Sequence, residues 1–366
     1  MKNRKNIHSA FRTVITVLLI ALLTCFSHGQ PEAIVGSGVP VDPSIEAYIA
    51  HAQVRGRMTI VGSEATKPLL LKLAMEFRTR QPEATIAVQG PRGSKKSPVD
   101  AFVSGKSTMR RGDGDTAGHL GSYDVELLAS SRALTEQEFK RFTSKHGHPP
   151  TGFVVAYGAL ALYVNRENAI KGLTLEQIDG IFSSTHKRGI ADMRTWGQVG
   201  LAGAWADAPI HLYGPHDRLS GTRSFFKEAM RLKGNFKRSL TTEPGFASVI
   251  VAIEKDRYGI GYSLLGLETS TVRAVSVSEN SERPAVAPTA ASVMSAEYPL
   301  SHPFYLYINQ HPDKEWDPEV HEFLRFVNSR DGQDIVARTG LFPLSASQVS
   351  AHHTMLRARG IRGGPP

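Results

Sequence analysis

The sequence predicts an α/β protein whose mostly parallel sheet is flanked by helices on both faces. Apolar runs of strand length alternate with segments in which apolar residues recur every three or four positions, in the order β-α-β-α-β-α. The 366 residues are enough for one large or two medium domains. With 41% hydrophobic and 21% charged residues, the composition is that of a globular chain and excludes disorder throughout.

Short patterns predict the first elements. Residues 58–61 form an apolar run of strand length, and the spacing of Leu70, Leu73 and Phe77 predicts a helix. Pro68 suits the first turn of that helix. Further strands are predicted at 84–89 and 124–128, and further helices at 98–103 and 136–143.

Residues 145–150 break this pattern, and a second unit follows. The apolar runs 154–156 and 160–164 predict two strands that cross between lobes. Thr174 is expected to cap a helix, because apolar residues follow it at helical spacing. The other predicted elements are strands at 210–213, 272–277 and 305–308, helices at 225–230, 246–253 and 320–327, and a polar linker at 279–289.

The first 29 residues are predicted to be an export signal. Four cationic residues precede or flank the apolar run 14–23, which is short for a membrane span, and small residues at 27–29 suit a cleavage site. An uncleaved anchor helix is one alternative. A lipid anchor on Cys25, the single cysteine, is another, although Thr24 fits a lipoprotein box poorly. Residues 30–57, which are rich in Pro and Gly, are predicted to form an irregular arm.

The charge of the chain does not indicate a nucleic-acid partner. The formal net charge is +9, but four cationic residues lie in the first 29 residues and three in the last 16, and neither segment has an acidic residue. The rest of the chain therefore carries a small net charge. No global basic field is left to attract nucleic acid.

Ser220-Gly221-Thr222 is the stretch that points most directly to a ligand. It lies between a predicted strand and a predicted helix, so its backbone N–H groups have no partner at a helix start, where the helix dipole favours an anion. The two hydroxyl groups add further donors. The alternative is that the stretch only caps a helix.

Seven short segments between residues 58 and 344 carry a second signal. They are Val61-Gly62-Ser63, Ser130-Ser131-Arg132-Ala133-Leu134-Thr135, Ala156-Tyr157 through Val164-Asn165, Gly172-Leu173-Thr174-Leu175, Ser220-Gly221-Thr222-Arg223, Gly259-Ile260-Gly261-Tyr262, and Tyr298-Pro299-Leu300-Ser301 with Tyr305-Leu306-Tyr307. Together and in this order, they resemble the phosphate-binding proteins of bacterial phosphate ABC transporters, a branch of the type II periplasmic binding proteins.

This resemblance implies a two-lobed periplasmic-binding-protein-like fold of type II, each lobe a mixed, mostly parallel sheet flanked by helices. It assigns residues 58–155 and 300–346 to lobe 1, residues 156–299 to lobe 2 and the crossing strands, and residues 347–366 to a disordered basic tail. It implies that phosphate or a similar oxyanion is bound between the lobes and delivered to a membrane ABC permease. The protein is then expected to be a monomer in the periplasm or outside the cell.

The binding loops of the family carry over to four places in this chain: Ser63-Glu64-Ala65, Gly93-Ser94, Ser131-Arg132 and residues 216–222. The residues expected to bind the ligand are Ser63, Ser94, Ser131, Arg132, His216, Arg218, Ser220, Gly221 and Thr222.

The chain departs from the family pattern at three of these loops. Lys95 and Lys96 follow Ser94 where the family usually has Ser-Gly-Thr-Gly. Glu64 places a carboxylate where a hydroxyl pair is usual, and it would repel phosphate unless a proton is shared. His216 stands where an arginine is usual. Either nearby cations keep an oxyanion ligand, or the pocket takes another ligand. The cations concerned are Lys95, Lys96, Arg132, Arg218 and Arg223.

No metal, cofactor or catalytic residue is expected. Asp113-Gly114-Asp115 lacks the further spaced oxygens of a calcium loop, so residues 110–121 are interpreted as an exposed insertion. His352-His353 lies in the predicted tail without partners. The sequence contains no nucleophile elbow, phosphate-binding Walker loop or zinc-protease helix.

The leading hypothesis is an exported, non-catalytic receptor that captures phosphate by hinge closure for an ABC-type uptake system. Three alternatives stay open: a receptor for sulfate or molybdate, a sensor or scaffold that keeps the fold but binds ligand weakly, and a secreted phosphatase. The last would need a nucleophile and metal ligands that the sequence does not display.

Overall fold

A computed structural model describes residues 38–358, with gaps at Glu64, 91–96, 111–119, 217–226, 228–229, 231, 233 and 312. Several predicted features lie outside these residues. They are the export signal with Cys25, the site residues Ser94, Arg218, Ser220, Gly221 and Thr222, the cations Lys95, Lys96 and Arg223, Glu64, the segment Asp113-Gly114-Asp115 and most of the helix at 225–230.

The strands of the described residues are β1 Gly56–Gly62, β2 Ala84–Gln89, β3 Lys106–Arg110, β4 Leu120–Asp124, β5 Leu127–Ser130, β6 Thr151–Asn165, β7 Gly172–Thr174, β8 His211–Pro215, β9 Leu240–Glu243, β10 Gly259–Leu264, β11 Val272–Ser278 and β12 Ser301–Ile308. The α-helices are α1 Lys67–Arg80, α2 Pro98–Ser104, α3 Glu136–His146, α4 Leu175–Phe182, α5 Phe246–Lys255, α6 Ala290–Met294, α7 Pro318–Val327, α8 Arg330–Arg338 and α9 Ala346–Arg357. Most predicted elements are confirmed, and β2 has the predicted bounds.

One path of hydrogen-bonded strands runs β2-β1-β5-β12-β6-β10-β8-β9, with β11 on the second half of β6 and β7 on β11. The outer strands β2, β1 and β5 are parallel, as are β10, β8 and β9. The central strands β12 and β6 are antiparallel to their neighbours. The sheet is therefore mixed, with two parallel groups joined by two antiparallel strands.

β6 joins the two groups. Its first half, from Thr151 to Ala159, pairs with β12, and its second half, from Leu160 to Val164, pairs with β10. The prediction of two separate strands is therefore wrong. Gly158, which lies between the two predicted runs, leaves room for the His302 ring, which a Cβ atom at this position would hit.

Two apolar clusters cover opposite faces of the first parallel group. Ile60 lies in a cluster with α1 and α7, whereas its neighbour Val61 lies in a cluster with α2 and α3. Because successive side chains of a strand point to opposite faces, the two clusters are on opposite sides of the sheet. A third, larger cluster contains α4 and residues of β6, β8, β10 and β11.

Local sequence signals fix several helix starts. Thr174 accepts a hydrogen bond from Gln177 N at 3.1 Å, and Gln177 Oε1 accepts one from Thr174 N at 2.9 Å, which completes a capping box at α4. Thr135 and Glu138 form the same arrangement at α3. The predicted cap at Thr174 is thus confirmed.

The arm packs more closely against the rest of the protein than its composition predicts. The described residues 38–55 form no helix or strand, yet Ile45 packs into the cluster of α4, and Tyr48 and Val54 pack into the cluster of α1 and α7. Gln81 fixes this segment, because its side chain accepts a hydrogen bond from Val54 N at 3.0 Å and donates to Ala52 O at 2.8 Å.

Three further predictions are corrected. The tail predicted from residue 347 is wrong up to Arg357, because α9 packs Val349 into one cluster and Leu356 into another. The single strand predicted at 124–128 is two strands, β4 and β5. The ends of the predicted exposed insertion at 110–121 belong to the antiparallel pair β3 and β4.

Among the helices that the described residues form, none has the length and apolar character that a membrane crossing requires.

Candidate functional site

Three loops leave the same edge of the first parallel group. β2, β1 and β5 lie side by side, so their carboxyl ends share one edge of the sheet. Ser63 follows β1 and Ser131 follows β5, and the loop after β2 lies outside the described residues. The register pairs Gly62 with Ala129, so Ser63 and Ser130 are neighbours one residue further on.

The connections that follow these strands diverge at this edge. α1, which follows β1, packs on one face of the sheet, whereas α3, which follows β5, packs on the other. In open α/β sheets a crevice forms at the carboxyl edge where neighbouring connections go to opposite faces, and ligands bind there. Ser63 and Ser131 flank this point.

Ser63 is held at the beginning of α1. Its carbonyl oxygen accepts hydrogen bonds from Thr66 N and Lys67 N, each at 3.1 Å, and from Thr66 Oγ1 at 3.0 Å. Its own hydroxyl lies 3.4 Å from Thr66 Oγ1. The Ser63 hydroxyl therefore lies near a helix N-terminus, whose dipole favours negative charge.

Ser131 and Arg132 lie in the turn between β5 and α3. Ser131 is 9% exposed. Arg132 makes a bidentate ion pair with Glu138, with Nη1 to Oε2 and Nη2 to Oε1 both at 2.8 Å. This guanidinium lowers the pKa of the Glu138 carboxyl to about 2, so the pair is fully ionised at neutral pH. Much of the positive charge expected of Arg132 is thus offset.

Glu138 was not among the residues predicted for the site. The spacing of Thr135 and Glu138 is that of a capping box, so the sequence contained a signal for the role of Glu138 in the helix. The sequence carried no signal for its ion pair with Arg132. The two residues are six positions apart, and the turn before α3 brings their side chains together.

His216 belongs to the second parallel group. It directly follows β8, its ring is exposed, and its backbone N–H donates to Glu243 O at 2.6 Å at the end of β9. The remaining residues predicted for this loop lie outside the described residues.

The strand register places the carboxyl ends of both parallel groups near the middle of β6. Ser130 pairs with Tyr305, which pairs with Val154, so β5 ends just before the middle of β6. On the other side, Tyr213 pairs with Gly261, which pairs with Tyr163. Because β8 runs against β6, its end also approaches the middle, near Leu160.

Across the sheet, Ser131 and His216 therefore lie opposite positions of β6 that are about four residues apart. Measured along the strand, these positions are separated by about 13 Å. His302 and Gly158 pair within this interval. Burial lowers the pKa of His302 to about 4, so the imidazole there is neutral at neutral pH.

The described residues contain no group of three or more His, Cys, Asp or Glu side chains that could hold a metal ion. The groups at the two carboxyl edges are hydroxyls, backbone N–H groups, an imidazole and an ion-paired guanidinium. Such groups can donate hydrogen bonds to an anion.

Two parallel groups whose carboxyl ends face one another along a shared strand define a two-lobed binding fold. The family model described as a PBP superfamily domain matches residues 49–331. A protein of Pseudomonas aeruginosa named phosphate-binding protein PstS is 34% identical over 329 residues, which are 90% of this chain and 95% of the relative.

Two solved structures share the fold. A crystal structure of "a possible phosphate binding protein" from Planctomyces limnophilus has a TM-score of 0.66 and 23% identity, and covers 84% of this chain and 99% of its own. An ABC-type phosphate transport receptor from Vibrio cholerae has a TM-score of 0.57 and 22% identity, covering 78% of this chain and 99% of its own. The chain belongs to the PBP superfamily and, within it, to the family of the phosphate-binding proteins named PstS.

Proposed function

We propose that this chain is an exported receptor that binds phosphate between its two lobes and delivers it to a membrane ABC permease. The observation that carries the proposal is the switch point between β1 and β5, flanked by Ser63 and Ser131 in a chain of this family. The names of the relatives support phosphate as the ligand and ABC transport as the context.

In this proposal the two parallel groups, with their helices, are the halves that close on the anion. The clusters support the division of the helices between two halves, because α1, α2, α3 and α7 share two clusters and α4 lies in another. Ser63, Ser94, Ser131 and Arg132 would supply donors from the first half. His216, Arg218, Ser220, Gly221 and Thr222 would supply them from the second. The receptor would act as a monomer after removal of its signal peptide.

One observation favours a second candidate, a sensor or scaffold that binds ligand weakly. Glu138 holds two Arg132 nitrogens, so this guanidinium attracts an anion less than an unpaired one would. A weakened first half would lower affinity without altering the fold. Affinity therefore separates the two candidates.

Titration calorimetry of the purified protein with phosphate, sulfate and molybdate tests the proposal. We expect phosphate to bind with a dissociation constant below about 1 μM and more tightly than the other two anions. Weak binding of phosphate, at about 1 mM or above, would favour the sensor or scaffold. Stronger binding of sulfate or molybdate would favour a receptor for another oxyanion.

Ser131→Ala locates the site. Loss of one hydroxyl donor to an anion is expected to weaken phosphate binding about tenfold. Ser144→Ala is the matched control, because this exposed serine lies in the last turn of α3, at the far end of that helix from Ser131. Equal affinities of the two variants would show that the anion does not contact Ser131. Unchanged phosphate binding by the double variant Ser220→Ala/Thr222→Ala would show that the anion does not contact these two residues of the second half.

A further inference from the structure

Tyr305 lies where β12 passes the proposed site. The residue pairs with Ser130 on one side and with Val154 on the other, at the level where β5 ends. Its ring packs against the cluster of Val61 and Phe142, which identifies the face of the sheet that carries α3. Directly paired residues place their side chains on the same face about 5 Å apart, so Tyr305 is adjacent to the loop that begins with Ser131.

An irregularity in the sheet falls at this position. Phe304 pairs with Ala156, but Tyr305 pairs with Val154, so the register between β12 and β6 shifts between the two residues. Bulges of this kind turn a side chain away from its regular direction, and they are common beside binding and active sites. The regular ladder alone does not explain why the shift occurs here.

The Tyr305 ring is held in place by its neighbour. It stacks on Tyr307 with 5.4 Å between the ring centroids and an angle of 21°. Tyr307 is itself fixed, because its hydroxyl accepts a hydrogen bond from Leu134 N at 3.1 Å. That bond ties both rings to the loop between Ser131 and α3.

The Tyr305 side chain is half-buried, and its hydroxyl makes no hydrogen bond to the described residues. The phenol keeps its proton at neutral pH, because the ordinary tyrosine pKa is 10.0 and burial raises the pKa of Tyr305 further. A protonated phenol can donate one hydrogen bond and accept another.

We propose that Tyr305 is a further anion ligand of the site, supplied by the crossing strand β12 and held in position by Tyr307. The inference rests on the proposed function and extends it. The hydroxyl donates to one oxygen of a tetrahedral oxyanion and can accept the proton of a protonated one. It therefore favours hydrogen phosphate over sulfate, which has no proton to give.

Tyr305→Phe tests this role, because phenylalanine keeps the stack on Tyr307 and removes only the hydroxyl. Calorimetry with inorganic phosphate is expected to show binding about tenfold weaker than in the wild type, with an unchanged urea midpoint. Tyr258→Phe is the matched control. This half-buried tyrosine packs against Trp205, before β10 and beside the amino end of β8, and its variant is expected to bind phosphate as the wild type does.

The outcomes separate the two claims. If the wild type binds phosphate and Tyr305→Phe binds it within about twofold of the wild type, the role of Tyr305 is refuted and the proposed function stands. If the wild type binds no phosphate, both are refuted. If Tyr305→Phe and Tyr258→Phe weaken binding equally, the effect is not specific to this position and the inference fails.

Discussion

Glu322 is expected to help hold the arm on the fold through its charge. Its carboxylate lies on α7 and is 3% exposed. One oxygen accepts a hydrogen bond from Arg325 Nη1 at 2.8 Å, and the other accepts one from Tyr48 Oη at 2.8 Å and a longer one from His51 N at 3.3 Å. The carboxylate thus joins the helix to two residues of the arm.

Glu322→Gln keeps the shape of the side chain and removes its charge. The amide nitrogen must then face either Arg325 or Tyr48, both of which donate to the carboxylate in the wild type. Breaking a buried ion pair costs about 3–5 kcal/mol. Arg325 is 17% exposed and can recover some hydration, so we expect a loss of about 3 kcal/mol in the free energy of unfolding.

Urea unfolding followed by circular dichroism measures this loss as a shift of the midpoint at constant slope. Glu136→Gln is the control, because it breaks an exposed ion pair with Lys140 and is expected to cost less than about 0.5 kcal/mol. If Glu322→Gln also lost less than about 1 kcal/mol, the buried network would not anchor the arm.

Three other variants test the interior. Tyr298→Phe is expected to raise the free energy of unfolding by about 1 kcal/mol, because this hydroxyl is fully buried and has no hydrogen-bond partner in the described part of the chain. Gly158→Ala is expected to cost about 1–3 kcal/mol, because its Cβ would lie 2.9 Å from Phe304 Cε2 and closer still to the His302 ring. Urea midpoints check both variants. The third concerns pH: burial lowers the pKa of His302 to about 4 in the folded chain from its ordinary value of 6.5, so its contribution to stability is present above pH 6.5 and lost as the pH falls toward 4. His302→Gln should therefore lose less stability than the wild type between about pH 7 and pH 4.5.

For each of these three variants, one result would contradict the prediction. A destabilised Tyr298→Phe would show that the hydroxyl has a partner, such as a buried water. A Gly158→Ala protein as stable as the wild type would show that β6 and β12 shift to accommodate the added methyl group at little cost in free energy. Parallel pH curves for the wild type and His302→Gln would show that this imidazole is not kept neutral by burial. His311→Gln, at a half-exposed histidine, is the control for the pH series.

The sequence predicted elements whose cause is local. β2 was found with its bounds because an apolar run of strand length marks it, and α4 was found because Thr174 and the following apolar residues mark its start. Ser63 and Ser131 were expected to bind the ligand because of the family resemblance, and the structure places each of them directly after a strand of the first parallel group.

What the sequence could not predict depends on contacts between distant residues. The arm has no apolar period, and its order comes from partners such as Gln81 and Glu322, which are 27 and 274 residues away along the chain from the arm residues they bind. β6 continues through Gly158, where it pairs with His302 of β12, a residue far away along the chain. Only two residues of α9 are buried, too few to mark a helix by pattern.

Both ends of the described chain reach across the molecule. The arm places Ile45 in one apolar cluster and Tyr48 in another, and α9 does the same with Val349 and Leu356. A proteolytic cut in the arm, or a truncation before α9, would therefore remove contacts from both apolar clusters at once. Because each segment packs into both clusters, we expect the two clusters to unfold together when the protein is heated.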